Sequence, residues 1–342
     1  MTDTHTSTIR TDQGGLAFQV IPAWEKRPDG MVHLDVPGVA VDSADRVYLF
    51  TRYDPRVMVY EADGTFVTSW GEDLFSPKTH GITIGPDDMV YCTSHGDHVI
   101  RKFTLEGRLI STMGTEGVPS DTGYDGSNLD TVVRAAGPFN TCTNLAIAPD
   151  GELYVSDGYG NCRVHRFTAE GELIQSWGAP GVGPGEFHLP HGIWIDSEGR
   201  VLVADRENER IQIFSPDGVF IEAWTDVQRP CAITIDPSGF VYVAELRSDP
   251  GWRSYTIGTI TQARPGRVSV FDLQGRLQAR WGGEDMAAPG NFVAPHGITV
   301  DSRGNVYVAE VTHTMGGRTG LVPEGTHDIQ KFTRGEGAPS GK

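Results

Sequence analysis

The chain has 342 residues, 38% of them apolar and 21% charged, and 28 basic against 45 acidic residues leave a formal net charge of −17. No apolar run approaches the ~18 residues that cross a bilayer, and no Lys/Arg cluster could neutralise a row of phosphates, so neither a membrane nor a nucleic acid is an expected partner. Four cysteines are too few for a disulfide scaffold, and the 43 glycines and 21 prolines are scattered, as suits many short strands joined by tight turns.

Residues 1–15 are polar and lack both the apolar core of a secretory signal and the Arg-rich pattern of a transit peptide. They are expected to form a flexible segment of a cytoplasmic protein. Beyond them one pattern recurs six times: an apolar strand ending in Asp, a Gly turn, a strand of the Val-Tyr-Val-Ala kind, a third strand ending in Phe, another Gly turn, and a fourth strand ending in Trp-Gly. Blade one runs from Val36 to Gly71, blade two from His80 to Gly114, blade three from Thr143 to Gly178 and blade four from Pro190 to Trp224. Blade five, Pro230 to Gly282, carries a long insertion, and blade six begins at Ala294 and stops near Phe332 after its third strand. Repeats of about 40 residues with four alternating strands each predict an all-β, six-bladed β-propeller. Phe18 to Trp24 resembles the Phe-Val-Thr-Ser-Trp ending of blade one, so the N-terminal strand is expected to complete the last blade and close the ring. The expected domain is residues 16–333, with 334–342 a flexible tail.

The residue just before each Gly-Ile-Thr-type segment is Pro37, His80, Thr143, His191, Cys231 and His296 in turn. Histidine thus holds this register in blades two, four and six only. Alternate blades of a six-fold ring are a third of a turn apart, so three imidazoles converge on the central channel like the legs of a tripod. Three His with an open fourth position is the ligand set of a catalytic zinc ion, although other divalent transition metals also accept imidazole. His5, His33, His98, His165, His188 and His327 fall outside the register and read as surface or local hydrogen-bonding residues. His95 and His313 lie nearer the same mouth and stay open.

Because strands alternate in direction, the start of strand one and the end of strand two share one end of the propeller. The long segments 115–137, 246–266, 283–293 and 311–328 fall at that end, and the tight turns fall at the other. Three residues at the ends of second strands add chemistry to the histidine mouth. Arg52 is suited to anchor a substrate carboxylate, with Asp54 the one acidic neighbour competing for it; Arg206 can do the same or pair with Glu207 or Asp205; Tyr159 can serve as a base or simply pack.

The runs YVSDGYGNCRVHRF (154–167), LPHGIWI (189–195), VADRENERIQIF (203–214) and APHGITV (294–300) resemble the NHL-repeat propeller of peptidylglycine alpha-amidating lyase, across all six blades. That family cleaves the C–N bond of a peptidyl alpha-hydroxyglycine into an amide and glyoxylate. The resemblance implies zinc on His80, His191 and His296, a catalytic tyrosine at Tyr159 and active-site arginines at Arg52 and Arg206. It also implies a calcium ion on the carbonyls of Val39 and Ile82 and on an aspartate, but Gly297 stands at the aspartate's place, which argues against calcium. The family's methionine is Ala294 here. One of its disulfides is missing because Leu202 and Ile213 replace the cysteines, and Cys142 and Cys162 are offset from the places of the other. With no monooxygenase domain in the sequence, the expected substrate is a small hydroxylated, carboxylate-bearing molecule rather than a neuropeptide. The competing expectations are a metal-dependent hydrolase such as a lactonase and a non-catalytic NHL interaction scaffold.

Overall fold

The computed structural model of the chain describes residues 8–10 and 16–335. Repeats one to five each form a four-stranded antiparallel sheet, and the sixth joins N-terminal strands in a five-stranded one. Blade four shows the plan, with strands Pro190–Ile195, Val201–Asp205, Arg210–Phe214 and Phe220–Trp224 running outward from the channel. Second strands such as Val201–Asp205 and Val306–Glu310 are buried at every residue, because the neighbouring blades cover both of their faces. The first strands of successive blades touch one another, and that of blade six touches that of blade one, which makes the ring closed.

The Trp-Gly signature has a packing reason. The tryptophan ending one blade lies against the turn glycine between strands three and four of the next: a Cβ on Gly107, Gly218 or Gly275 would meet Trp70, Trp177 or Trp224 at 2.5–2.6 Å. These glycines also have positive φ, at +84°, +72° and +73°, a region that other residues enter at a cost. Trp24 takes the corresponding place beside Gly64 of blade one, where a Cβ would meet its backbone carbonyl first and its ring at 3.3 Å, so it stands as the last tryptophan of blade six.

Ring closure follows the expected swap. Ala17–Ile21 pairs antiparallel with Ile329–Arg334, Val20 opposite Phe332, and Phe18 stacks on Trp281 of blade five with centroids 4.8 Å apart. Thr8–Arg10 adds a strand outside Ala17–Ile21. The remainder of the expected flexible ends, 1–7, 11–15 and 336–342, lies outside the described residues.

A charged cluster fastens the same closure. The buried His33 ring has Nε2 2.9 Å from Glu25 and Nδ1 3.1 Å from Asp328. Tyr60 donates to Glu25 as well. Burial opposes the imidazolium, but the two carboxylates outweigh it and raise His33 to about 9. His33 is therefore a charged bolt between the segment that follows the swapped strand and the segment that precedes its partner. Among the described residues no helix is long and apolar enough to cross a membrane.

Candidate metal centre

His80, His191 and His296 each stand second in the first strand of their blades, Thr79–Ile84, Pro190–Ile195 and Pro295–Val300. The common register brings their rings together, with centroids 4.6, 4.7 and 4.6 Å apart. One nitrogen from each lies within 4.8 Å of the other two.

The three register positions without histidine have a matching task. Nδ1 of His80 donates to the carbonyl of Thr143 at 2.6 Å, Nδ1 of His191 to that of Cys231 at 2.7 Å, and Nδ1 of His296 to that of Pro37 at 2.8 Å. A carbonyl oxygen only accepts, so each Nδ1 carries the proton and each Nε2 keeps its lone pair. His80 Nε2 is buried with no hydrogen-bond partner. Burial first, and then neighbouring imidazoles and guanidiniums, hold His80 and His191 well below the usual histidine value and His296 at about 3. Three neutral, tautomer-fixed imidazoles with no carboxylate among them are a donor set that fits zinc or another divalent transition ion.

The residue after each histidine is glycine because that carbonyl must come close. A Cβ on Gly192 would lie 2.5 Å from the Cys231 oxygen, on Gly81 2.7 Å from that of Thr143, and on Gly297 3.0 Å from that of Pro37. Gly297 also offers no side-chain oxygen, so the residues here do not fit the calcium of the resembled family. All four cysteines are free and buried. Cys231 contributes its carbonyl, and its thiol, raised to about 11 mainly by burial, is not one of the clustered donor atoms.

On the loop side of the tripod, Tyr159 Oη lies 3.4 Å from His191 Nε2 and accepts from Arg206 Nη1 at 3.0 Å. Arg206 Nε donates to Glu207 at 2.8 Å. Burial disfavours the guanidinium, but Tyr159 and Glu207 outweigh it and raise Arg206 further. Burial likewise opposes the Glu207 carboxylate, yet Arg206 and Arg229 hold it at about 2. Of the two carboxylates expected to compete for Arg206, Glu207 is the one it binds, while Asp205 pairs with Arg210, and Arg206 also reaches Tyr159.

Arg52 requires a correction. Its acidic partner is Asp35, 3.0 Å from Nη1, whereas Asp54 pairs with Arg56. Asp35 precedes the first strand of blade one, and the pairing of strands one and two carries it to the end of the second strand, a proximity that Asp54, though nearer in sequence, does not share.

His95 belongs to the mouth. It follows the second strand of blade two as Arg52 and Arg206 follow theirs, stacks on His80 with centroids 5.7 Å apart and meets Tyr159 edge-on at 4.5 Å. Its Nδ1 is buried without a partner, and burial with Arg52 holds the ring at about 3. The shared register with Arg52 and Arg206 is a sequence signal that pointed to it. His313 is exposed in the single turn His313–Gly317. His165, outside the register, is buried between Asp157 and Ser176.

The long loops meet over blades three and four. Tyr255 of the blade-five insertion stacks on His188 at 3.7 Å and donates to Asp130 of segment 115–137 at 2.6 Å. On the other side of the imidazoles, toward the tight turns, the channel holds a cavity of about 240 Å³ walled by Val39, Ile82, Ile193, Ile233 and Ile298.

The NHL repeat family matches residues 139–167 and 187–214. The chain is 28% identical over 314 residues to NHL repeat-containing protein 3 of Homo sapiens, covering 86% of this chain and 82% of that protein. It is also 28% identical over 271 residues to peptidyl-alpha-hydroxyglycine alpha-amidating lyase 1 of Drosophila melanogaster, covering 73% of this chain and 46% of that protein. A solved gluconolactonase from Xanthomonas campestris superposes with a TM-score of 0.59 at 14% identity, over 97% of this chain and 96% of that one, a likeness of fold alone. The chain therefore carries NHL repeats and is homologous to the amidating lyases.

Proposed function

We propose that this chain is a metal-dependent lyase that cleaves the C–N bond of a small α-hydroxylated amide bearing a carboxylate. The observation that carries the reading is the tripod of His80, His191 and His296, each imidazole locked by a backbone carbonyl so that Nε2 faces the channel. Zinc is the first choice of ion, with another divalent transition metal as the alternative. A metal ion bound there would supply Lewis acidity to a substrate hydroxyl.

The chain's own residues would supply the rest. Tyr159, beside His191 and hydrogen-bonded to Arg206, is placed to take the hydroxyl proton, the phenolate that Arg206 would support becoming a phenol as it does so. As the C–O bond becomes a carbonyl, the C–N bond breaks and the amide nitrogen takes from the Tyr159 phenol the proton that the hydroxyl gave up, releasing an amide and glyoxylate. Arg52, its side chain still 23% exposed beside Asp35, would hold the carboxylate through its remaining N–H groups.

Elemental analysis of the purified, untagged protein tests this, together with glyoxylate release from α-hydroxyhippurate. The expected result is about one equivalent of zinc or another transition metal, as a three-His site requires, and measurable glyoxylate. Protein that holds no metal and takes up no zinc on titration would overturn the proposal.

A further inference from the structure

Arg247 is not accounted for by this chemistry, although its place in the fold matches that of Tyr159. Tyr159 lies two residues beyond the second strand of blade three, Leu153–Asp157, and Arg247 lies two residues beyond that of blade five, Val241–Glu245. Arg247 is 7% exposed. Its Nη2 donates to the Met315 carbonyl at 2.9 Å and its Nη1 to Asp249 at 3.1 Å, while Nε is buried with no partner. Arg229 lies alongside, and both guanidiniums face the ring of Trp252, at 4.9 Å for Arg229 and 5.6 Å for Arg247.

This cluster is continuous with the metal centre. Glu207 binds Arg229 at 2.8 Å and Arg206 at 2.8 Å, and Arg206 reaches Tyr159. Three guanidiniums (Arg206, Arg229, Arg247) therefore face two carboxylates (Glu207, Asp249), and one positive charge is left over in the mouth of a chain whose net charge is −17. Burial and Arg229 both disfavour the charge on Arg247, and its one carboxylate partner is 34% exposed. A buried guanidinium with an unmet N–H and too little counter-charge is costly in isolation, and an oxyanion relieves both defects. The planar fork of N–H groups suits a carboxylate.

We propose that Arg247, with Arg229 and Trp252, forms a second anion subsite that receives a carboxylate carried on the acyl side of the substrate. The inference rests on the lyase reading only for the word substrate; the subsite itself is a binding claim. It makes the preferred molecule a dianion, with one carboxylate at Arg52 and another on blade five.

Calorimetric titration of the metal-loaded protein with succinate, and separately with inorganic phosphate, tests the subsite without requiring turnover. Succinate is expected to bind, and Arg247→Met to weaken it by about tenfold or more, as loss of a charge-assisted hydrogen bond implies. Arg247→Lys keeps the charge without the fork and is expected to fall between the two, and it serves as the variant of record if Arg247→Met does not fold. Succinate that binds wild type and variants alike, or binds none of them, overturns the proposal. Phosphate binding that exceeds succinate and depends on Arg247 overturns the carboxylate assignment in favour of a phosphoryl group. A failed lyase reading shows itself separately, as absent glyoxylate release. Where release occurs, wild type should favour N-succinyl-α-hydroxyglycine over α-hydroxyhippurate, and the preference should collapse in Arg247→Met.

Discussion

The channel tripod and the ring closure both rest on buried histidines, and the two sites hold them in opposite charge states. His80, His191 and His296 face carbonyls and one another, so burial outweighs what the carbonyl hydrogen bonds contribute and the rings stay neutral. His33 faces Glu25 and Asp328, which outweigh burial and keep it charged. At these two sites a neutral dipole leaves the buried ring a free donor, and a pair of carboxylates makes it a structural cation.

Breaking the channel side has the largest expected effect. His191→Ala removes one of three donors, so elemental analysis should find the metal equivalent lost and glyoxylate release gone, whereas His33→Ala should retain the metal. On the closure side, His33→Ala leaves two facing carboxylates without their cation and should cost about 3 kcal/mol in urea unfolding. The same bolt sets a pH dependence. Because the folded value of about 9 lies above the ordinary 6.5, its contribution is fully present below pH 6.5 and is lost as pH rises through 9, about 3 kcal/mol in all. The unfolding midpoint should fall across that window in wild type and stay flatter in His33→Ala.

Smaller changes sharpen the contrast. Gly192→Ala should push the Cys231 carbonyl away from His191 and weaken metal affinity by about 10–100-fold, the usual range for the loss of an outer-shell partner. Equilibrium competition with a chelator would measure it, and an unchanged affinity would show that the carbonyl lock is dispensable. His327, whose Nδ1 lies 2.8 Å from Glu310, is a milder version of the bolt and is also raised, burial being outweighed by that carboxylate. His327→Gln keeps a donor but not the charge, and should cost only about 1 kcal/mol.

Much of this was legible along the chain. The Trp-Gly endings, the Phe18-containing closing strand and the three histidines in register are periodic, and periodicity needs no coordinates. Pro37, Thr143 and Cys231 could not be read as ring-orienting residues, since their part is played by backbone carbonyls that every residue type possesses. His33 passed for an ordinary histidine because Glu25 and Asp328 lie at opposite ends of the chain. Arg52 was given the wrong neighbour for a related reason, as Asp54 is near in sequence while Asp35 is near in space.

The sequence by itself determined the blade count, the short apolar runs that form each buried second strand and the three-fold spacing of the imidazoles, because these depend on repeat length and residue type. Tertiary structure alone decided which nitrogen of each imidazole is free, which carboxylate meets each guanidinium, and that Arg247 shares a rim with Arg206. Those outcomes depend on the direction of single N–H and C=O groups after a ring of six blades has closed, and at hydrogen-bonding range a shift of one ångström changes the partner.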